Sequence, residues 1–218
     1  GALIVIFVLV LFLGNLRAGL IVASAIPLSM LFALGMMNIF GVSANLMSLG
    51  AIDFGLIVDG AVIIVEATVH HLGLRKSMNR LTQSEMDDEV FLSASKIRNS
   101  AAFGEIIILI VYIPILTLVG VEGKMFTPMA KTVGFAILGA LILSLTYIPM
   151  MCALFLSKKV SHKKTFSDKM MDYLQGIYQP LLQKAIKIKY WLVGVTVTVF
   201  ALTLFLFSRM GGEFIPQL

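Results

Sequence analysis

Apolar stretches of membrane-crossing length recur along this chain and leave a bundle of transmembrane helices as its fold. They lie near 1–13, 18–40, 44–69, 100–119, 130–156 and 190–208. About 20 apolar residues are needed to cross the hydrocarbon core as a helix. Only 13% of the 218 residues are charged, against about 25% in a soluble domain, and those charges cluster between the apolar blocks. The class is therefore all-α: a polytopic bundle of about six spans.

The first stretch is only 13 residues long, about 20 Å of helix, which is short for a bilayer. It has no basic n-region and no small-residue cleavage site, so it is not a signal peptide. The chain reads as a piece of a larger protein that starts in mid-helix. Gly211-Gly212-Glu213-Phe214-Ile215-Pro216-Gln217-Leu218 reads as the start of a region that continues. The expected layout is a bundle over 1–156, a loop with a surface helix over 157–189, a further span at 190–208, and the start of an external region at 209–218.

The net charge is +5, but the basic residues sit in loops, which argues for membrane topology and against nucleic acid as a partner. Fourteen of the 17 basic residues lie in alternate loops: one at 14–17, five at 70–99 and eight at 157–189. Basic loops stay cytoplasmic, so six crossings put both ends of the chain on the outer side. Within 157–189, Phe166, Met170, Tyr173, Leu174, Ile177, Tyr178 and Leu181 recur at helical spacing. Lys169, Asp172, Gln175 and Lys184 take the other face. That pattern predicts an amphipathic helix on the inner membrane surface, kinked near Pro180. Pro27, Pro114 and Pro149 predict bends in their spans, with Ser24 and Ser29 placed to satisfy the carbonyl that Pro27 frees. The single cysteine, Cys152, lies in an apolar span and reads as a small buried hydrophobe.

Three acids interrupt the third stretch: Asp53, Asp59 and Glu66. An Asp at a helix centre costs roughly 2.5–3.5 kcal/mol on insertion scales, and such residues mark proton or ion pathways. At 100° per residue, Asp59 and Glu66 are about 20° from alignment, and Asp53 lies about 120° from Asp59. Counted from residue 44 as a continuous helix, the depths are about 14, 22 and 33 Å. Desolvation favours the neutral form of a carboxyl and a nearby cation the charged form, so a group poised between them can load a proton on one side and release it on the other. Lys131 lies at an outer edge, and no basic residue lies inside the spans. Either the counter-ion is in another segment or the acids are protonated.

Gly55 and Gly60 flank the acids and predict close approach of a neighbouring helix. Glu105 is expected near the inner end of its span, as an acid reaching the interface. His70 and His71 read as interfacial polar residues, and Glu85-Met86-Asp87-Asp88-Glu89 as a solvated acidic patch. Methionine thioethers suit soft metals, which makes Met36, Met47 and Met129 weak candidates; methionine is also a common filler of apolar helices. The spacing of the acids opposes an intramembrane aspartyl protease. Its dyad shares one proton between close carboxyls, whereas Asp53 and Asp59 would lie about 9 Å apart along one helix.

The motifs Asp53-Phe54-Gly55, Val58-Asp59-Gly60-Ala61 and Val65-Glu66 resemble the acidic membrane helix of heavy-metal efflux pumps in the resistance–nodulation–division superfamily. The likeness is strongest to the CzcA-type cobalt–zinc–cadmium branch. Leu13-Gly14-Asn15-Leu16-Arg17, Ile113-Pro114-Ile115, Gly120-Val121-Glu122-Gly123-Lys124-Met125-Phe126, Pro128-Met129-Ala130, Gly139-Ala140-Leu141 and Gly212-Glu213-Phe214-Ile215-Pro216 extend it along nearly the whole chain. The resemblance implies a proton antiporter of the bacterial inner membrane that exports divalent cations such as zinc, cobalt or cadmium. It also implies a homotrimer joined to a periplasmic adaptor and an outer-membrane channel, with no cofactor beyond the transported metal and protons. Spans two to seven of twelve would be present, with Asp53, Asp59 and Glu66 on the proton pathway. Copper and silver pumps of the same family lack the first Asp and place a Met shortly before the second. Drug exporters have adjacent aspartates in this helix. This chain has Asp53, and Ile57-Val58 before Asp59. Ala67, where many members have Asn, and Glu105 depart from the branch. A scaffold fragment without transport of its own is the remaining alternative.

Overall fold

The computed structural model describes residues 2–43, 49–50, 52–73, 81–157 and 166–209. Met47, the loop residues Arg75, Lys76, Arg80, Lys158, Lys159, Lys163 and Lys164, and the segment 210–218 lie outside them. The described residues form α1 (Ala2–Leu13), α2 (Leu16–Ile39), α3 (Phe54–Gly73), α4 (Gln83–Leu116), α5 (Gly120–Leu145), α6 (Tyr147–Phe155), α7 (Phe166–Lys187) and α8 (Lys189–Arg209). Five of these, α2, α3, α4, α5 and α8, are long and apolar enough to cross a membrane, and α1 is a shorter apolar helix. The all-α bundle is thus as expected, with α1 the short sixth segment.

Three boundaries differ from the sequence expectation, each for a local reason. Residues 44–48 and 51 of the expected third span lie outside the described residues; its helix α3 starts at Phe54, because Asp53 caps it. Its Oδ1 accepts from the Gly55 backbone N–H at 2.8 Å, and Asp is far better at an N-cap than inside a helix. The fourth helix starts at Gln83, well before the apolar stretch at 100. Thr82 and Glu85 form a capping box: the Thr82 N–H donates to Glu85 Oε2 at 2.8 Å, and the Glu85 N–H to Thr82 Oγ1 at 3.4 Å. Its 34 residues make about 51 Å of helix, longer than the ~30 Å of hydrocarbon needs. The fifth span is two helices. Pro149 offers no N–H to the Leu145 carbonyl and its ring crowds it; α5 ends at Leu145, and Thr146 turns at φ −117°, ψ −63°. Around Pro27, Ser24 donates to the Ile21 carbonyl (2.6 Å) and Ser29 to those of Ala25 (2.8 Å) and Ile26 (3.0 Å). Neither hydroxyl takes the Ala23 carbonyl that the proline frees.

The chain divides into two compact units, Gly1–Ser167 and Asp168–Leu218. In the first, α2, α3, α5 and α6 all pack on one another, α4 packs on α3, α5 and α6, and α1 lies against α2 and α3. The core joins Ala18, Val22 and Ala25 of α2 to Ala61, Ile64 and Val65 of α3, with Met86 and Ala101 of α4 and Ile148 and Cys152 of α6. Cys152 is a buried free thiol within it. A second cluster sets Ala33 and Ile57 against Ala136 and Ala140. The alanines and glycines let backbones approach where no hydrophobic effect drives association. Gly139 of α5 shows the tolerance: a Cβ there would lie 2.7 Å from Phe32 Cδ1 and 3.0 Å from Cγ.

In the second unit, α7 carries Tyr173, Leu174, Ile177, Tyr178, Leu181 and Leu182 among its exposed residues. In α8, Lys189, Tyr190 and Trp191 begin the apolar run and Arg209 ends it, with Lys189 Nζ 5.2 Å from the Tyr190 ring centroid and Arg209 Cζ 4.9 Å from that of Phe205. Cationic and aromatic residues at the ends of an apolar helix suit the two membrane interfaces.

Gly139→Leu should separate α2 from α5, an overpacking cost of about 1–3 kcal/mol. Gly134→Ala on the same helix has open space within 4 Å and should be neutral or stabilising. Melting of the two purified full-length variants in detergent checks the pair; equal loss in both would count against this packing.

Candidate functional site

The third helix has two faces. Ile57, Val58, Gly60, Ala61, Ile64, Val65, Thr68 and Leu72 are buried, at the spacing of one helix side. Asp59, Ile63, Glu66 and His70 are exposed and fall on the opposite side. Asp59 and Glu66 therefore share a face, as their seven-residue spacing predicts. That face points away from the neighbours that bury the other side.

Asp53 does not belong to this face. It stands outside the helix as its cap, so rotation at 100° per residue does not apply to it, and the depths counted from residue 44 no longer hold. Its carboxylate lies at the positive end of the helix dipole, where an anion is favoured. Gly55 sits against it: a Cβ on Gly55 would lie 3.2 Å from Asp53 Oδ1, a contact that a small side-chain movement relieves.

Gly60 does what its position promised. Its backbone faces Glu105 of α4, and a Cβ at Gly60 would overlap Glu105 Oε1, lie 2.8 Å from the carboxyl carbon and 3.2 Å from Ser144 Cβ of α5. Glu105 is 2% exposed. One oxygen, Oε2, accepts from Ser144 Oγ at 3.4 Å, while that hydroxyl also reaches the Leu141 carbonyl at 2.9 Å. The other, Oε1, is buried and has no hydrogen-bond partner among the described residues. The expectation of an interfacial acid is therefore corrected: Glu105 lies inside the bundle, level with the residue after Asp59. Nothing local in the sequence gives this away, because the contact spans 45 residues of chain. The one available signal was a glycine on the acidic helix together with a second acid in another apolar stretch.

Below this level, toward the His70–His71 end, polar groups continue along the α3–α4 seam. Thr68 and Ser93 hydroxyls meet at 3.1 Å, both buried. His71 Nδ1 lies 3.4 Å from Glu89 Oε2. An open cleft of about 430 Å³ is lined by Ala67, His70, His71, Glu89, Ser93 and Lys96. The acidic patch at 85–89 is thus partly engaged: Glu85 caps a helix and Glu89 meets a histidine. Met36 and Met129 are half-buried. No group of three or more His, Cys, Asp or Glu comes together among the described residues.

Comparison with known proteins adds to this geometry. The AcrB/AcrD/AcrF family profile matches residues 1–218. The cobalt-zinc-cadmium resistance protein CzcA of Cupriavidus metallidurans is 48% identical over 221 residues, covering 100% of this chain and 20% of that protein. The nickel-cobalt-cadmium resistance protein NccA of Alcaligenes xylosoxydans xylosoxydans is 42% identical over 220 residues, with 100% and 20% covered. A crystal structure of a heavy metal efflux pump superposes with a TM-score of 0.77 at 32% identity, over 99% of this chain and 19% of that one. The chain thus spans about a fifth of the length of the relatives it matches.

Because the Gly60 backbone is where Glu105 fits, Gly60→Ala should destabilise the protein by about 1–3 kcal/mol. Gly55→Ala should cost far less. Adding Glu105→Ala to Gly60→Ala should recover part of the loss, since the side chain in the way is gone. A double-mutant cycle of melting temperatures on the full-length protein measures this; strict additivity would mean the two residues do not touch.

Proposed function

The chain belongs to the AcrB/AcrD/AcrF family, and on that premise we propose that it is membrane-embedded machinery of a proton-driven pump exporting divalent heavy-metal cations. The observation that carries this reading is the exposed face of α3. Two carboxyls, Asp59 and Glu66, stand on one side of a helix apolar enough to cross a membrane. A charged group facing lipid is expensive, and such groups face a bundle interior or a water-filled path and pair there. In the whole pump this face meets other protein and water, and its carboxyls take up protons from the outer side and release them inward. Asp53 starts the path at the helix N-terminus, where the dipole favours its charge.

The cargo follows from likeness and residue pattern together. The relatives named for cobalt, zinc, cadmium and nickel support a divalent cation, as do Asp53 and the Ile57-Val58 pair before Asp59 in place of a methionine. The metal and the protons are substrates; the pump does no covalent chemistry on them. The basic-loop asymmetry supports insertion in a bacterial inner membrane with residues 70–99 and 157–189 cytoplasmic. The amphipathic α7 then lies at the inner surface. Assembly as a homotrimer with a periplasmic adaptor and an outer-membrane channel completes the reading.

In the full-length protein, Asp59→Asn should abolish resistance of a metal-sensitive host to zinc, cobalt and cadmium while leaving membrane expression intact. Asp53→Asn keeps a side chain that caps helices equally well and removes only the charge, so it should fold normally and lose resistance as well. Growth on metal with immunoblotting of membranes reads both. Wild-type resistance in Asp59→Asn would sink the proposal.

A further inference from the structure

A fourth carboxyl lies inside the bundle, and the pathway above does not use it. Glu105 is 2% exposed, at a three-helix junction with Gly60 of α3 and Ser144 of α5. As an anion it would give one oxygen a single 3.4 Å contact with a hydroxyl and leave the other, buried against the Gly60 backbone, without a well-formed hydrogen bond. A buried carboxylate so poorly paired is costly, and proton binding removes the charge. A structural acid held for stability would show the opposite pattern: a cation or several strong donors around it.

We propose that Glu105 is a proton-binding member of the transport machinery, coupled to Asp59 through the α3–α4 contact at Gly60. This rests on the proton-driven reading above and deepens it. Asp59 immediately precedes the glycine that Glu105 touches, so a movement of α3 at this level carries both carboxyls. Other groups around Glu105 are few. From α5 it meets Ser144, which does not titrate. The titratable side chains of the packed helix α6 are Tyr147 and Cys152. On α4 itself the basic residue before it, Arg98, lies two turns away. Asp59 stands on the opposite, exposed face of α3, so the coupling runs through the helix: the charge on Asp59 and the charge on buried Glu105 both bias the same α3–α4 joint, and each proton equilibrium therefore acts on the other. In the cycle, one proton enters the pair when either carboxylate is neutralised and leaves when either acid ionises, so no redox partner or covalent step is required. Gly60 has no side chain because the coupled carboxyl occupies that space.

The test uses the full-length protein in proteoliposomes, with Zn²⁺ uptake driven by an imposed pH gradient and read as a function of pH. Glu105→Gln keeps the shape and the Ser144 contact but cannot carry a proton. It should melt like the wild type, transport more slowly, and move the pH–rate profile by about one pH unit. Glu105→Asp should restore part of the rate. Infrared difference spectra should show a pH-dependent carboxyl band in the wild type that Glu105→Gln lacks and that Asp59→Asn shifts. A Glu105→Gln protein with wild-type rate and profile overturns the inference, since a purely structural acid tolerates this isostere. If Glu105→Gln does not fold, the infrared spectrum of Glu105→Asp decides: a displaced carboxyl band supports the inference, and an unmoved spectrum overturns it. Asp59→Asn run alongside separates the two ideas. Transport retained there defeats the proton-driven reading, whereas loss there with an unaffected Glu105→Gln defeats only the role of Glu105.

Discussion

Close backbone contact at Gly60 sets the architecture of the first unit. Lipid tails are as apolar as leucine, so hydrophobicity gives helices no reason to associate in a membrane; packing and polar contacts must do it. At Gly60, α3 comes near enough to α4 that the Glu105 carboxyl fills the place of a side chain, and Ser144 closes the site from α5. The same device recurs where Gly139 receives Phe32 and where Ala33, Ala136 and Ala140 surround Ile57. Each joint holds because a residue is small. Close-packed interiors transmit displacement rather than absorb it.

Most of the bundle was legible in the sequence because its signals are local. Hydropathy over about 20 residues located α2, α3, α4, α5 and α8, and the 3.6-residue period paired Asp59 with Glu66. The errors came where single side chains overrule a hydropathy window. Asp53 looked like the first acid inside a helix, yet its side chain bonds the Gly55 N–H and makes the helix begin after it. The stretch 83–99 is too polar to read as membrane, but a capping box at Thr82 and Glu85 continues the helix through it. Pro149 was expected to bend one span and instead divides it at Thr146, because it denies a donor to the last carbonyl of α5.

The candidate site was half legible. The acids on α3 announce themselves as charges in an apolar run, and Gly60 was identified as a point of close packing. What it packs against was not readable: Glu105 is remote in sequence, and a lone acid near the end of an apolar stretch is indistinguishable from one that reaches water. The Thr68–Ser93 and His71–Glu89 contacts were hidden for the same reason, since each joins α3 to a helical extension that the polar composition concealed.

These contacts give α3 a division of labour. One face carries Asp59 and Glu66 outward, and the other is bound to α4 by three polar levels at Gly60–Glu105, Thr68–Ser93 and His71–Glu89. Residues 60 and 71 are separated by about 16 Å of helix axis, so the seam runs along much of the span. Asp59 and Gly60 are consecutive, which places an outward carboxyl and the tightest inward contact on the same turn. On the proposed reading, a change of charge at Asp59 acts on the joint where α3, α4 and α5 meet, and movement of that joint acts back on the affinity of Asp59 for a proton. That reciprocity is a thermodynamic requirement of any coupled pair of states. In the proposed proton-driven pump, it would make one protonation site a packing site as well.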